Sequence, residues 1–96
     1  ITASNLPPVA EAGPTQNVTI GTTVILDGSR SSDPNNDILT YSWSFIEVAG
    51  GVGVTLTGGT TATPSFTAIN EGTYSLELIV SDGTLSDADS VTINSR

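Results

Sequence analysis

Three oxygen-bearing side chains occupy alternate positions in the short segment DPNND: Asp33, Asn35 and Asp37. Carboxylate and amide oxygens are the ligands that calcium prefers, and this spacing matches the first half of an EF-hand loop. The second half does not follow. The sixth loop position is Ile38 instead of glycine, and the twelfth is Ser44 instead of a bidentate glutamate. The segment is therefore not an EF-hand.

Two interpretations of DPNND remain. In the first, it is a type I turn with Pro34 at its second position, the side chain of Asp33 bonded to the backbone, and asparagines that tolerate positive φ. In the second, it is part of a calcium site of another kind. Calcium takes about six to eight oxygen ligands, so one five-residue loop would need help from other segments. The residues favour the turn and keep the calcium site as the alternative.

Side chains that commonly carry catalysis are scarce. The chain has no His, Cys or Lys, which removes the usual bases of nucleophilic enzymes and the thiolate ligands of metal sites. Paired carboxylates can hydrolyse glycosides, and Glu47, Glu71 and Glu77 are present. A small β-domain, however, seldom forms the deep cleft that would raise the pKa of one acid. We therefore expect no enzyme activity.

The length of the chain limits the number of domains, and its charge limits the kinds of partner. The chain has 96 residues, which suits one domain. Two Arg and ten acidic residues give a formal net charge of -8, and such a surface repels nucleic acid and anionic membranes. No apolar run reaches the roughly 18 residues of a membrane span. We expect neither nucleic-acid binding nor membrane insertion.

Strict alternation of apolar and polar residues indicates strands. In LTYSWSF, Tyr41, Trp43 and Phe45 alternate with small polar residues, as in a half-buried strand. Trp43 is the only tryptophan, and we expect it to anchor the core with Tyr41. About seven such segments, separated by Gly and Pro, predict an all-β fold: an immunoglobulin-like antiparallel sandwich, with a small barrel as the rival. Its inner faces would also hold Leu26, Leu76 and Leu78.

Other acidic and amide residues can be placed relative to this sandwich. Its topology would bring Asp82, in the turn after a late strand, and Asn5, in the N-terminal linker, to the same end as DPNND. Asp87 and Asp89 alternate on the approach to the last strand, so both side chains point the same way. We expect these two to form a solvated face.

Two long segments resemble the halves of a polycystic-kidney-disease (PKD) domain: PPVAEAGPTQNVTIGTTVILDGSRSSDPNNDILTYSWSF and EGTYSLELIVSDGTLSDADSVTI. The resemblance runs from Asn5 to Asn94. Many PKD domains continue the tryptophan with Asp-Phe-Gly-Asp-Gly, whereas this chain reads WSFIEVAGGVGVTL. It is similar in this to a subgroup with a longer loop after Phe45, common in bacterial surface and secreted proteins. The resemblance implies a β-sandwich that spaces or presents other domains, without catalysis.

The resemblance also bears on the metal. Some PKD domains bind calcium at a comparable place, which implies the ligands Asp33, Asn35, Asp37, Asp82 and Asn5. The family commonly has Asp and Gly at the positions of Asn35 and Asn36, so this chain has one negative charge fewer and a weaker site would follow.

These observations predict a non-catalytic extracellular spacer or interaction module in a larger secreted or surface protein, which calcium would stiffen if the alternative interpretation of DPNND holds. Residues 1–8 would be linker and residues 9–96 the domain, with the adjacent domains of the parent chain as partners. The alternative is a recognition module that binds carbohydrate or a partner protein directly. Exposed aromatic side chains would distinguish the two, and of the five only Phe66 is free to be exposed by its pattern.

Overall fold

Two β-sheets pack face to face in the computed structural model, which describes residues 6–51 and 54–96. The strands in chain order are β1 (Gln16–Val18), β2 (Thr23–Ile25), β3 (Thr40–Glu47), β4 (Ser65–Thr67), β5 (Gly72–Ser81) and β6 (Ser86–Ser95). The larger sheet has the order β1-β6-β5-β3, and the smaller one pairs β2 with β4. β1 runs parallel to β6, and the other pairs are antiparallel. The predicted immunoglobulin-like sandwich is confirmed.

Two short segments that the sequence pattern indicates as strands, residues 9–12 and 54–56, do not form strands; one bridge forms within the first and one just after the second. The segment at 9–12 is bridged at Val9 to Ser32, and the segment after 53 is bridged at Thr57 to Ser65. Six strands form among the described residues, close to the about seven that the sequence predicted. The last strand, by contrast, begins as early as Ser86, because its polar first half pairs with β5 along its whole length.

The core follows the predicted alternation. On β5, Tyr74, Leu76, Leu78 and Val80 all have no exposed area. The intervening residues lie on the outer face of the sheet, which is the arrangement of a strand with one buried side. The predicted core residue Leu26 is also fully buried. These side chains fill the space between the two sheets.

Trp43, the predicted core anchor, lies in the core. It is buried, and its indole N–H donates to the carbonyl oxygen of Thr61 at 2.9 Å. A β-carbon at Gly28 would lie 2.8 Å from Cζ2 of Trp43, so the DG turn after β2 needs glycine for the ring to pack. Tyr41 lies two residues away on β3 and is only partly buried, packed against the edge of the core.

Phe66 corrects one expectation, because it is buried and not exposed. It is the inward residue of the three-residue strand β4, between outward Ser and Thr positions. Its ring centroid lies 5.2 Å from that of Phe45 and 5.2 Å from that of Tyr74. The Tyr74 hydroxyl in turn bonds to both backbone groups of Asn70, as in the tyrosine corner of immunoglobulin-like domains.

The loop after Phe45 contains a single turn of 3-10 helix, Ala49–Gly51, and Ala49 is buried against the domain. The rest of its glycine-rich stretch, residues 52–53, lies outside the described residues. Within the described ranges, no helix has the length and apolarity that crossing a membrane requires.

Candidate metal site

The pairing of β3 with β5 brings the two acidic segments together. Thr40 at the start of β3 pairs with Ser81 at the end of β5. Residues that precede Thr40 and residues that follow Ser81 therefore leave the sheet at the same end. The DPNND loop occupies the first position and the turn with Asp82 occupies the second, as the sandwich topology predicted.

Three carboxylates meet at this end. Asp33, Asp37 and Asp82 each place a carboxylate oxygen within 4.8 Å of the others. Asp33 is buried, with 8% of its surface exposed, while Asp82 is half-buried and Asp37 is exposed. The cluster thus has one deep ligand and two nearer to solvent, which gives a cation a way in.

The predicted turn is also present. The Asn36 N–H donates to the Asp33 carbonyl oxygen at 2.9 Å, so Pro34 stands at the second turn position. The Asn35 N–H donates to Oδ1 of Asp33 at 2.6 Å, and Asn36 has a φ of 59°. The turn and the acidic cluster are therefore compatible, because Asp33 takes part in both.

The second oxygen of Asp33 is the most informative atom of the site. Oδ2 is buried and has no hydrogen-bond partner among the described residues. A buried charged oxygen without a partner is costly, by about 1–3 kcal/mol or more for an ionised group. A bound cation would remove this cost, so the donor set and the burial both fit a metal that prefers oxygen.

The other two predicted ligands stand differently. Oδ1 of Asn35 accepts the N–H of Leu6 at 2.8 Å, which attaches the entering chain to the loop. Asn5 lies outside the described residues, and its role as a ligand stays a prediction. Asp82 is fixed in its turn, because its Oδ1 accepts the N–H groups of Thr84 and Leu85 at 2.8 Å each.

Electrostatic repulsion opposes this arrangement when no cation is bound. At 4.8 Å, the upper limit of the separations in this cluster, two unit charges repel each other by about 1 kcal/mol in bulk water and by about 3 kcal/mol at the effective dielectric of a protein surface. The chain has only two basic residues, Arg30 and Arg96, and neither belongs to the two acidic segments. The three carboxylates therefore form a concentrated negative potential at one end of the sandwich.

Asp27 is an acidic residue of another kind. The hydroxyl and the backbone N–H of Ser29 both donate to its Oδ1. These two hydrogen bonds hold the pKa of the Asp27 carboxyl below its ordinary value. The residue thus serves the turn after β2 and not the cluster.

Asp87 and Asp89 do not form a solvated face, so that expectation was wrong. Both side chains point the same way, as predicted, but they continue the inward alternation of Val91 on β6. Both are half-buried. Oδ2 of Asp87 accepts the N–H of Ala10, and Oδ2 of Asp89 accepts the N–H of Ala12, each at 2.8 Å. Sequence alternation gave their common direction, but not the segment that they meet.

Comparison with known proteins supports the fold described above. The family model described as "K319L-like, PKD domain" matches residues 12–94. The human protein named dyslexia-associated protein KIAA0319 is 36% identical over 81 residues, which cover 83% of this chain and 8% of that protein. The chain is thus similar to one small part of a much longer relative.

Two solved structures are similar over nearly the whole chain. The PKD domain of the KIAA 1837 protein has a TM-score of 0.78 at 28% identity, covering 99% of this chain and 92% of that one. A nucleoside hydrolase-related hypothetical protein from Saccharophagus degradans, associated with carbohydrate metabolism, has a TM-score of 0.83 at 29% identity, covering 98% of this chain and 26% of that one. Membership of a subgroup with a long loop after Phe45 stays a prediction.

Proposed function

The chain belongs to the K319L-like PKD domain family, and on this premise we propose that it is a non-catalytic, extracellular spacer and interaction module whose DPNND end binds calcium. Its partners would be the adjacent domains of a larger surface or secreted protein. The length of the relatives supports this, since the match covers only 8% of the human one.

The observation that carries the calcium proposal is the buried Oδ2 of Asp33, which has no hydrogen-bond partner within residues 6–51 and 54–96 and lies beside the carboxylates of Asp37 and Asp82. Calcium binds carboxylates in monodentate or bidentate fashion and tolerates irregular coordination geometry. Three carboxylates would supply three to six oxygens, and water or the side chains of Asn35 and Asn5 would complete the shell. Magnesium fits less well because it demands a near-ideal octahedron.

The accessibility of the site suggests where it works. One carboxylate of the cluster is exposed and one is half-buried, so water competes with the ligands and binding would be weak. Extracellular calcium modules bind in the range of about 0.1 to 1 mM. A site of this kind would be filled outside the cell and empty in the cytosol.

Calcium would act on the connection to the preceding part of the chain. Leu6 is bonded to Asn35 inside the acidic loop, so a cation that fixes the loop also fixes the point at which the chain enters the domain. The module would then behave as a bead of defined length with a stiff N-terminal junction.

The alternative, direct recognition of carbohydrate, has less support. Glycan-binding surfaces commonly stack sugar rings on exposed aromatic side chains. All five aromatic residues of the chain lie in the described part: three are buried, and the other two, Tyr41 and Phe45, are half-buried and pack against the core. Binding of a partner protein stays open within the spacer proposal.

Calorimetric titration with calcium tests the proposal on three proteins: the unaltered domain, Asp37→Asn and Glu71→Gln. Both variants remove one charge, but Glu71 precedes β5 and Asp82 follows it, so the two positions are about 36 Å apart along the strand. We expect a single millimolar or tighter site that is weakened at least about tenfold in Asp37→Asn and unchanged in Glu71→Gln. Equal binding by all three, or no binding by the unaltered domain, would contradict the proposal.

A further inference from the structure

The segment that enters the domain, residues 6–12, is an extended strap held mainly by side chains. Pro7 and Pro8 have no N–H, and each remaining N–H of the strap has an acceptor. The acceptors are, in order, Asn35 Oδ1, the Ser32 carbonyl oxygen, Asp87 Oδ2, Ser31 Oγ and Asp89 Oδ2. Four of these five are side-chain oxygens, so the strap lies in the sandwich without a continuous backbone ladder.

The strap is hydrogen-bonded on both of its sides, to a different segment on each. Its odd-numbered N–H groups, from Val9 and Glu11, bond to the segment that leads into the acidic loop. Its even-numbered ones, from Ala10 and Ala12, bond to the inward carboxylates of Asp87 and Asp89, which we call the latch. Ala10 is 7% exposed and Ala12 1%, and their small side chains let the strap approach the latch closely.

The strap is attached independently of the strand that follows it. β1 is held by a parallel backbone ladder to the end of β6, and the N–H of Arg96 adds a bond to the Val18 carbonyl oxygen. Between strap and β1 stand Gly13, with a φ of 86°, and Pro14. Rotation at this glycine would release the strap while leaving every ladder bond of β1 in place.

We propose that the strap, residues 6–12, is a docking arm that detaches from the sandwich as one unit by rotation at Gly13. The latch of Asp87 and Asp89 sets how often the arm detaches. With the arm docked, the chain enters the domain at Leu6, beside the acidic cluster and in a fixed direction. With the arm released, the chain enters at β1, and about ten more residues become flexible linker.

The latch would therefore determine whether the domain is a rigid or a swivelling neighbour. A hydrogen bond to a charged acceptor contributes more than a neutral one, so two carboxylates hold the arm more firmly than two amides would. The latch rests on the contacts of the arm alone and holds with or without calcium. Only the consequence for the stiffness of a spacer between domains rests on the proposed function.

Hydrogen exchange of backbone amides, followed residue by residue in EDTA, tests the latch. The probe variant is Asp87→Asn/Asp89→Asn. The control is Glu71→Gln/Glu77→Gln, which also removes two negative charges, but at positions that do not contact the arm. We expect the amides of Ala10 and Ala12 to exchange at least about tenfold faster in the probe variant. Those of Leu76 and Leu78 would be unchanged, and the control would match the unaltered domain.

Two results would contradict the proposed role of the latch. Unchanged exchange at Ala10 and Ala12 would show that the carboxylates do not hold the arm. Equal acceleration of the arm and of β5 would show that the arm opens only when the whole sandwich does. If the double variant does not fold, Asp87→Asn and Asp89→Asn are measured singly, and each is expected to act most strongly on its own partner amide. Because the measurement is made in EDTA, its outcome is separate from that of the calcium titration.

Discussion

Replacement of Asp33 by asparagine should reverse the order of stability between calcium-free and calcium-loaded protein. The substitution keeps the shape of the side chain, and its Oδ1 can still accept the N–H of Asn35. It removes the charge from the most buried position of the cluster. In EDTA the variant should therefore be more stable than the unaltered domain, and in calcium it should be less stable.

The magnitudes follow from the geometry. With the three carboxylates within 4.8 Å, Asp33→Asn removes two pair repulsions of about 1 kcal/mol each in water, lowered further by salt. A gain of about 1 kcal/mol would raise the melting temperature by about 4–8 °C in a domain of this size. Calcium at ten times its Kd would stabilise the unaltered domain by about 1.4 kcal/mol, and the variant by almost nothing.

Thermal melts at equal ionic strength, in EDTA and across a calcium series, measure both halves of this prediction. Glu71→Gln serves as the control, since it removes one charge at the far end of β5 and should respond to calcium like the unaltered domain. If Asp33→Asn is destabilised equally in both conditions, Asp33 is only a turn residue. If it retains the full calcium response, the ligand assignment is wrong.

Three further perturbations test the fold around the site. Trp43→Ala should cost about 3–5 kcal/mol in denaturant unfolding, and an unchanged midpoint would refute its role as core anchor. Tyr74→Phe should cost about 1–3 kcal/mol, because both backbone groups of Asn70 lose a partner; a neutral result would mean that water replaces the hydroxyl. Asp27 has a folded pKa below its ordinary 3.8, so its stabilisation is present above that pH and lost as the pH falls through the folded pKa. The stability difference between the unaltered domain and Asp27→Asn should accordingly vanish well below pH 3.8, and a constant difference would contradict it.

The sequence predicted the sandwich well because its strands alternate strictly. Tyr74 and Leu76 point inward where period two places them, and Trp43 is buried as the lone tryptophan suggested. Phe66 was missed because a three-residue strand, SFT, is too short to show a period. Its flanking Ser and Thr were in fact the outward positions of that strand.

The candidate site was predicted in part. The meeting of Asp33, Asp37 and Asp82 followed from the order of the strands, since the loops before β3 and after β5 share one end of the sheet. The hydrogen-bond partners of Asp87 and Asp89, the N–H groups of Ala10 and Ala12, could not be predicted from the sequence. Alternation gives the face of a side chain, but only the three-dimensional path of residues 6–12 shows that a backbone without a ladder lies opposite it.

A calcium titration of the isotopically labelled domain, followed through its backbone amide resonances, tests directly whether the three carboxylates bind calcium together. We predict that the changes in chemical shift concentrate in two segments distant in sequence, residues 33–37 and residues 82–85, and that both follow one binding curve. Shifts in only one segment, or none up to about 10 mM calcium, well above the range of extracellular calcium sites, would show that the three carboxylates do not form a calcium site.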